Sequence, residues 1–234
     1  MTDWTVPGYA DVREVGHTGS GRTVLGRHVA TDVPVLIAYL SDELRRDNAY
    51  LNQYRASARV FADIQSPHVT ALYEYVEASA GVAVVREYVE GVSVRAILAA
   101  RGRLRPEAAL SVLKGGLAGL AAAHALGVSH GTVSADTLMV DTSGNPKVSG
   151  WSLDGAPAGP AADVAAAVAV YTEAAGKVPK KLRGLVRADA TDASALLGEL
   201  EVAARAAHGA DWLERGRTEV AQQAARARPR SRRG

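Results

Sequence analysis

From Tyr9 to Tyr39 short apolar runs alternate with Gly-rich turns, a pattern that predicts β-strands. Val33 to Leu40 is a continuous apolar run and reads as a buried strand. Between Asp42 and Ile64 the period changes: Leu44, Leu51, Tyr54, Ala58 and Phe61 fall at helical spacing, with Ser41 or Asp42 as N-cap and Pro67 as the stop. Val69–Val76 and Val82–Val89 predict two further strands around the turn Glu77–Gly81. After Gly91 the chain becomes mainly helical. Leu110, Leu113, Leu117, Leu120 and His124 form one stripe of a helix opened by Pro106. Gly115, Gly116 and Gly119 each cost that helix about 1 kcal/mol against Ala, which predicts close packing on its neighbours. Asp163–Ala175 predicts another buried helix, and a last helical pair runs from Lys181 to about His208. Periodicity alone therefore gives an α+β chain of two lobes.

Composition narrows the class. With 47% hydrophobic residues and no long apolar window, the 234-residue chain reads as globular without a crossing helix. It has no cysteine, so disulfides and thiolate metal sites are excluded. Met1–Tyr9 has no apolar segment of the kind a signal peptide carries. The net charge of +2 hides an asymmetry: residues 215–234 hold seven Arg and one Glu, leaving residues 1–214 at −4.

The most informative stretch is Ser129–Val140, S-H-G-T-V-S-A-D-T-L-M-V. It resembles the catalytic loop of bacterial serine/threonine protein kinases. Further landmarks follow in order: Gly16 to Gly21 for the phosphate-covering loop, Val35-Leu-Ile-Ala38 for the strand carrying the phosphate lysine, Arg86 to Gly91 for the hinge, and Asp163 to Gly176 for helix F. The resemblance implies a bilobal protein-kinase-like fold with a β-rich lobe over residues 1–90 and a shortened helical lobe over 91–210. Residues 211–234 are expected to form a basic tail, disordered or juxtamembrane.

Phosphoryl transfer needs a Lys on the phosphates held by a Glu, a carboxylate and an amide on the metal, and an Asp at the attacking hydroxyl. In the frame of the resemblance these positions hold Ala38, Ser57, Gly150, Thr137 and Thr132, with Ser134 in place of the loop Lys. Neutral groups cannot replace those charges, so the chain reads as a pseudokinase and not as an enzyme. Asp136, Asp141 and Asp154 lie near the lost metal positions but read as solvated loop acids, and Lys147 as a surface residue. His124 and His130 read as core histidines, and His17 as an incidental loop residue. Gly16, Gly19 and Gly21 are a vestigial loop whose middle glycine is Thr18, and Arg86 falls where it would block the adenine pocket, with Glu74 or Glu90 as its partner. No cofactor or metal is expected. Only twelve residues, Trp151–Ala162, separate Gly150 from Asp163, and the stretch from Gly176 to Leu182 has no room for helix G, so the peptide-docking platform is expected to be missing.

The resemblance extends to the degenerate kinase-like domain fused to actinobacterial lipid II flippases, which act in cell-wall (peptidoglycan) synthesis. It implies a cytoplasmic signalling scaffold at the inner face of the plasma membrane. Its partners would be an active serine/threonine kinase and a forkhead-associated domain that reads a phosphothreonine; Thr218, the only Thr of the tail, is the candidate acceptor. The Arg tail also fits an anionic membrane surface. Alternatives are nucleic-acid binding through that tail, which lacks interleaved aromatics, or a residual nucleotide-binding enzyme.

Overall fold

In the computed structural model, residues 4–155, 158–185 and 190–228 are described. The chain forms two compact units. One comprises Met1–Gln65 with Thr70–Tyr88, the other Ser66–Val69 with Val89–Gly234.

The first unit is an antiparallel sheet of five strands in the order β1-β2-β3-β5-β4. They are β1 (Tyr9–Thr18), β2 (Gly21–His28), β3 (Pro34–Leu40), β4 (Leu72–Ala78) and β5 (Gly81–Glu87). Alternation along β3 puts Val35, Ile37 and Tyr39 on one buried face, where they pack with Val6, Val24, Ala83 and Val85. The N-terminal segment covers that face: Gly81 has no side chain because the Trp4 ring lies where its Cβ would be. Instead of one helix over Asp42–Ile64 there are two, α1 (Asp42–Arg45) and α2 (Asn48–Ala62). The break has a local cause. The Asp47 carboxylate accepts from the Ala49 and Tyr50 N–H groups at 2.9 and 3.0 Å, so it caps a new helix and ends the old one.

In the second unit, Gly91–Ser93 (β6), Leu138–Asp141 (β7) and Pro146–Val148 (β8) form a small sheet beside helices α3 (Val94–Arg101), α4 (Pro106–His124) and α5 (Pro160–Ala175). The glycines of α4 are packing positions as expected. A Cβ on Gly115 would meet the Pro146 ring at 2.8 Å, and one on Gly119 the His68 carbonyl at 2.4 Å. Ser66–Val69 joins this unit because Val148 N–H donates to His68 O at 2.8 Å and Val69 bridges to Val148. The strand expected over Val69–Val76 accordingly starts only at Leu72. The helical pair expected from Lys181 is a 3-10 turn, Lys180–Leu182, followed by α6 (Ala193–His208). Among the described residues no other helix lies between α5 and α6.

Of the disordered or juxtamembrane tail expected over 211–234, the disordered alternative is corrected up to Arg228; residues 229–234 lie outside the described residues. Trp212–Ala227 is a helix, α7, packed mainly on α4. Trp212, Gly216, Val220 and Ala224, spaced by four, are buried along one stripe. A Cβ on Gly216 would lie 2.4 Å from the Glu107 carbonyl. Arg215 donates to Glu107, Arg217 to Asn145 Oδ1 at 3.1 Å and Arg228 to Glu90 O at 3.1 Å, so three of the tail's arginines bind this unit.

Candidate functional site

The loop Ser129–Thr137 is built around a buried carboxylate. Asp163 lies in the first turn of α5 and its side chain is 1% exposed. Its Oδ2 accepts from the His130 backbone N–H at 2.7 Å and from His124 Nε2 at 3.0 Å, and its Oδ1 accepts from Gly131 N–H at 2.7 Å. Burial alone would push this carboxyl up, but the His124 ring and the two N–H groups hold it below its ordinary value. Asp163 thereby anchors the loop to α5.

His130 is buried beneath the same loop. Its Nε2 donates to Ser149 O at 2.8 Å, which leaves Nδ1 to accept from Thr132 N–H at 3.2 Å. Burial pushes its imidazole below the ordinary value, so the ring is neutral near pH 7. Trp151 covers it, ring centroids 4.6 Å apart, and donates its indole N–H to Val148 O at 3.0 Å. Sequence reasoning gave Trp151 no role; a large aromatic directly after a turn glycine was the available signal.

The positions read as degenerate turn inward. Thr132 Oγ1 lies 3.2 Å from His130 Nδ1. Ser134 N–H donates to Thr137 Oγ1 at 2.9 Å, and Thr137 N–H to Ser134 Oγ at 3.4 Å. This reciprocal pair has the form of a capping box and closes the turn before β7. The spacing Ser134-x-x-Thr137 was its signal in the sequence. Gly150 is held at φ 79, and a Cβ there would meet Thr137 Cγ2 at 3.0 Å. An Asp at 150 would be strained by backbone and neighbour alike. Of the nearby acids, Asp136 pairs with Arg95 at 3.5 Å, Asp141 accepts from Ser143 and Asn145 N–H at 2.9 Å, and Asp154 from Ser152 Oγ at 3.1 Å. Among the described residues no three His, Cys, Asp or Glu side chains gather as a metal site.

In the first unit, Ala38 on β3 pairs with Thr23 and Val84, and Ser57 is half-buried on α2. The helix is tied to the sheet by Arg55, which forks Glu77 of β4 at 2.8 Å. Tyr75 and Arg55 hold the Glu77 carboxyl below its ordinary value. The Arg86 guanidinium lies 5.6 Å from the Phe61 ring centroid, while Glu74 accepts from Tyr9 at 3.3 Å. Of the loop glycines only Gly21 is sterically required: at φ 141 its Cβ would collide with Tyr39 O, whereas Gly16 and Gly19 have open space. Thr18 Oγ1 lies 2.8 Å from Ser20 Oγ and closes the turn. His17 is exposed beside Glu14. Thr218 is exposed on α7.

The buried groups fix a pH dependence. His130 is favoured neutral in the fold, so its contribution is present above its ordinary value of 6.5 and lost as pH falls through its lowered one. Asp163 is favoured ionised, so its contribution is present above its ordinary value of 3.8 and lost only at more acid pH. Urea unfolding should show stability falling first below about pH 6.5 and again below about pH 4. Asp163→Asn should cost about 2–4 kcal/mol at pH 7 and shrink the second step, to which Glu77 also contributes; a loss below about 0.5 kcal/mol would refute the anchoring role.

The family model described as "Protein kinase domain" matches residues 9–156. Among curated proteins, the serine/threonine-protein kinase PknL of Mycobacterium tuberculosis is 28% identical over 170 residues, 73% of this chain and 42% of PknL. The serine/threonine-protein kinase PrkC of Bacillus subtilis is 26% identical over 145 residues, 62% of this chain and 22% of PrkC. The chain thus spans less than half the length of either relative. The crystal structure of the Mycobacterium tuberculosis PknI kinase domain superposes with a TM-score of 0.64 at 16% identity, covering 87% of this chain and 99% of that chain. With the five-stranded sheet, the helical second unit and the Asp163-anchored loop in place, the chain belongs to the protein kinase family.

Proposed function

We propose that this domain uses the protein kinase fold as a protein-binding scaffold and transfers no phosphate. The observation that carries the reading is the Ser134–Thr137 box together with Thr132 against His130. The three residues at the positions of base, lysine and metal amide satisfy the loop's own polar groups. A positioned base alone is worth about 10²–10⁴ in rate. Loss of the charges on the transferred group costs a similar factor or more, roughly 10²–10³ per donor. Ala38 and Gly150 bring no charge that could compensate.

Mg-ATP is not a ligand in this reading. At about 1 mM nucleotide the melting temperature should move by less than about 1 °C. A dissociation constant near 10 µM would instead give about 2.7 kcal/mol and a rise of roughly 5–10 °C, which would overturn the nucleotide-independent scaffold.

The scaffold's place, in the same proposal, is the cytoplasmic side of a membrane protein of cell-wall synthesis, its basic C-terminal end close to anionic lipid. No helix among the described residues is long and apolar enough to cross a membrane. An active serine/threonine kinase would modify Thr218, whose side chain is exposed, and a forkhead-associated domain would read the phosphothreonine. Because Thr218 sits in a packed helix, its turn must open locally before a kinase can take it. Incubation with such a kinase and peptide mapping by mass spectrometry should place phosphate on Thr218, and Thr218→Ala should abolish pull-down of the forkhead-associated domain. Phosphate found elsewhere with Thr218 unmodified would refute this partner assignment and leave the scaffold reading intact.

A further inference from the structure

A cavity of about 390 Å³ opens within the first unit, walled by the Thr18–Gly21 turn, the end of β3, α1 and the β4–β5 turn. This is the size of a small-ligand pocket. It opens at the end of β3, where the consecutive residues Tyr39 and Leu40 both line it.

One wall is apolar and rigid. The Trp4 and Tyr39 rings meet edge to face with centroids 5.8 Å apart, and Val82 continues the surface. Gly81 permits this wall, since a side chain there would displace Trp4. The other wall is cationic. Arg22 and Arg45 line the cavity with Asp42, a net +1 before His17 is counted, whereas residues 1–88 carry a net −3.

The state of Arg22 points to a ligand. Its side chain is 28% exposed and its guanidinium carbon lies over the Tyr39 ring, 4.3 Å from the centroid. Its ion pair with Asp11 is loose at 3.5 Å, and among the described residues its side-chain N–H groups make no hydrogen bond. A guanidinium has five N–H donors in a fork that fits a carboxylate or phosphate edge-on, and the cation–π contact with Tyr39 restrains its place. Arg45 is more fully engaged, donating to Ser79 O at 2.7 Å and to Asp42 at 3.1 Å, so it contributes chiefly charge.

We propose that this cavity binds a small organic anion, its acid group forked by Arg22 and its aromatic or aliphatic body seated on Trp4 and Tyr39. The body adds apolar contact that inorganic phosphate lacks, and the acid group adds the charge-assisted bonds that a neutral body lacks. Such a site would let a metabolite or an acidic modification act on a domain that has no use for ATP, and its existence does not depend on whether the scaffold reading holds.

The test is a titration of the ¹⁵N-labelled full chain, with the Trp4 indole signal assigned through Trp4→Phe. Phenyl phosphate and benzoate are the two anionic probes, with benzyl alcohol and inorganic phosphate as the half-matched ones. At least one anionic probe should shift the Trp4 indole and the Gly19, Gly21 and Ser41 amides saturably, with a dissociation constant below about 1 mM. Which of the two binds more tightly tells phosphate from carboxylate. Benzyl alcohol and inorganic phosphate should bind at least about tenfold more weakly, as should the phenyl compound to Arg22→Gln. No saturable shift up to about 10 mM, or equal shifts with benzyl alcohol, would overturn the proposal. So would unchanged binding in Arg22→Gln. If that variant does not fold, Arg45→Gln and the four-probe comparison on the native chain decide.

Discussion

Asp163 accepts three N–H donors while almost wholly removed from water, and the loop Ser129–Thr137 takes its shape from that carboxylate. An ionised group in such a place is stable only because each donor compensates lost hydration; removing any one leaves charge exposed to a poor solvent. The His130 and Gly131 amides are therefore fixed in position, and His130 in turn is fixed by Ser149 O on one ring nitrogen and Thr132 N–H on the other. Trp151 closes the stack. This one carboxylate thus links α5, the end of α4 through His124, and the loop leading to β7.

Upon that frame Thr132, Ser134 and Thr137 carry small hydroxyls, and each hydroxyl is turned to a local partner. Thr132 meets His130, Ser134 and Thr137 cap one another, and the Thr137 methyl would be 3.0 Å from a Cβ on Gly150. These substitutions support one another sterically. A charged residue in place of Thr132, Ser134 or Thr137 would break one of these hydrogen bonds.

Much of this was legible in the sequence. The order of strands and helices, the close packing around Gly115 and Gly119 and the helix beginning near Asp163 followed from period, glycine placement and family resemblance. The C-terminal helix was not legible as a packed element because seven arginines dominated the reading of residues 215–234, although Trp212, Gly216, Val220 and Ala224 fall at spacing four. Charge density says little about one stripe of a helix when the stripe consists of small residues. The split at Asp47 turned on a side-chain cap competing with the helix interior, which periodicity does not register. Trp4 on Gly81 is a contact between distant parts of the chain, and nothing local announces it.

The central claim is that the fold persists here without its chemistry. Its most direct test is incubation of the purified chain with magnesium or manganese and labelled ATP, alone and with a general acceptor protein, read by intact-mass spectrometry. The account predicts no phosphate on either protein. Transfer that survives repurification and disappears in Thr132→Ala would contradict it.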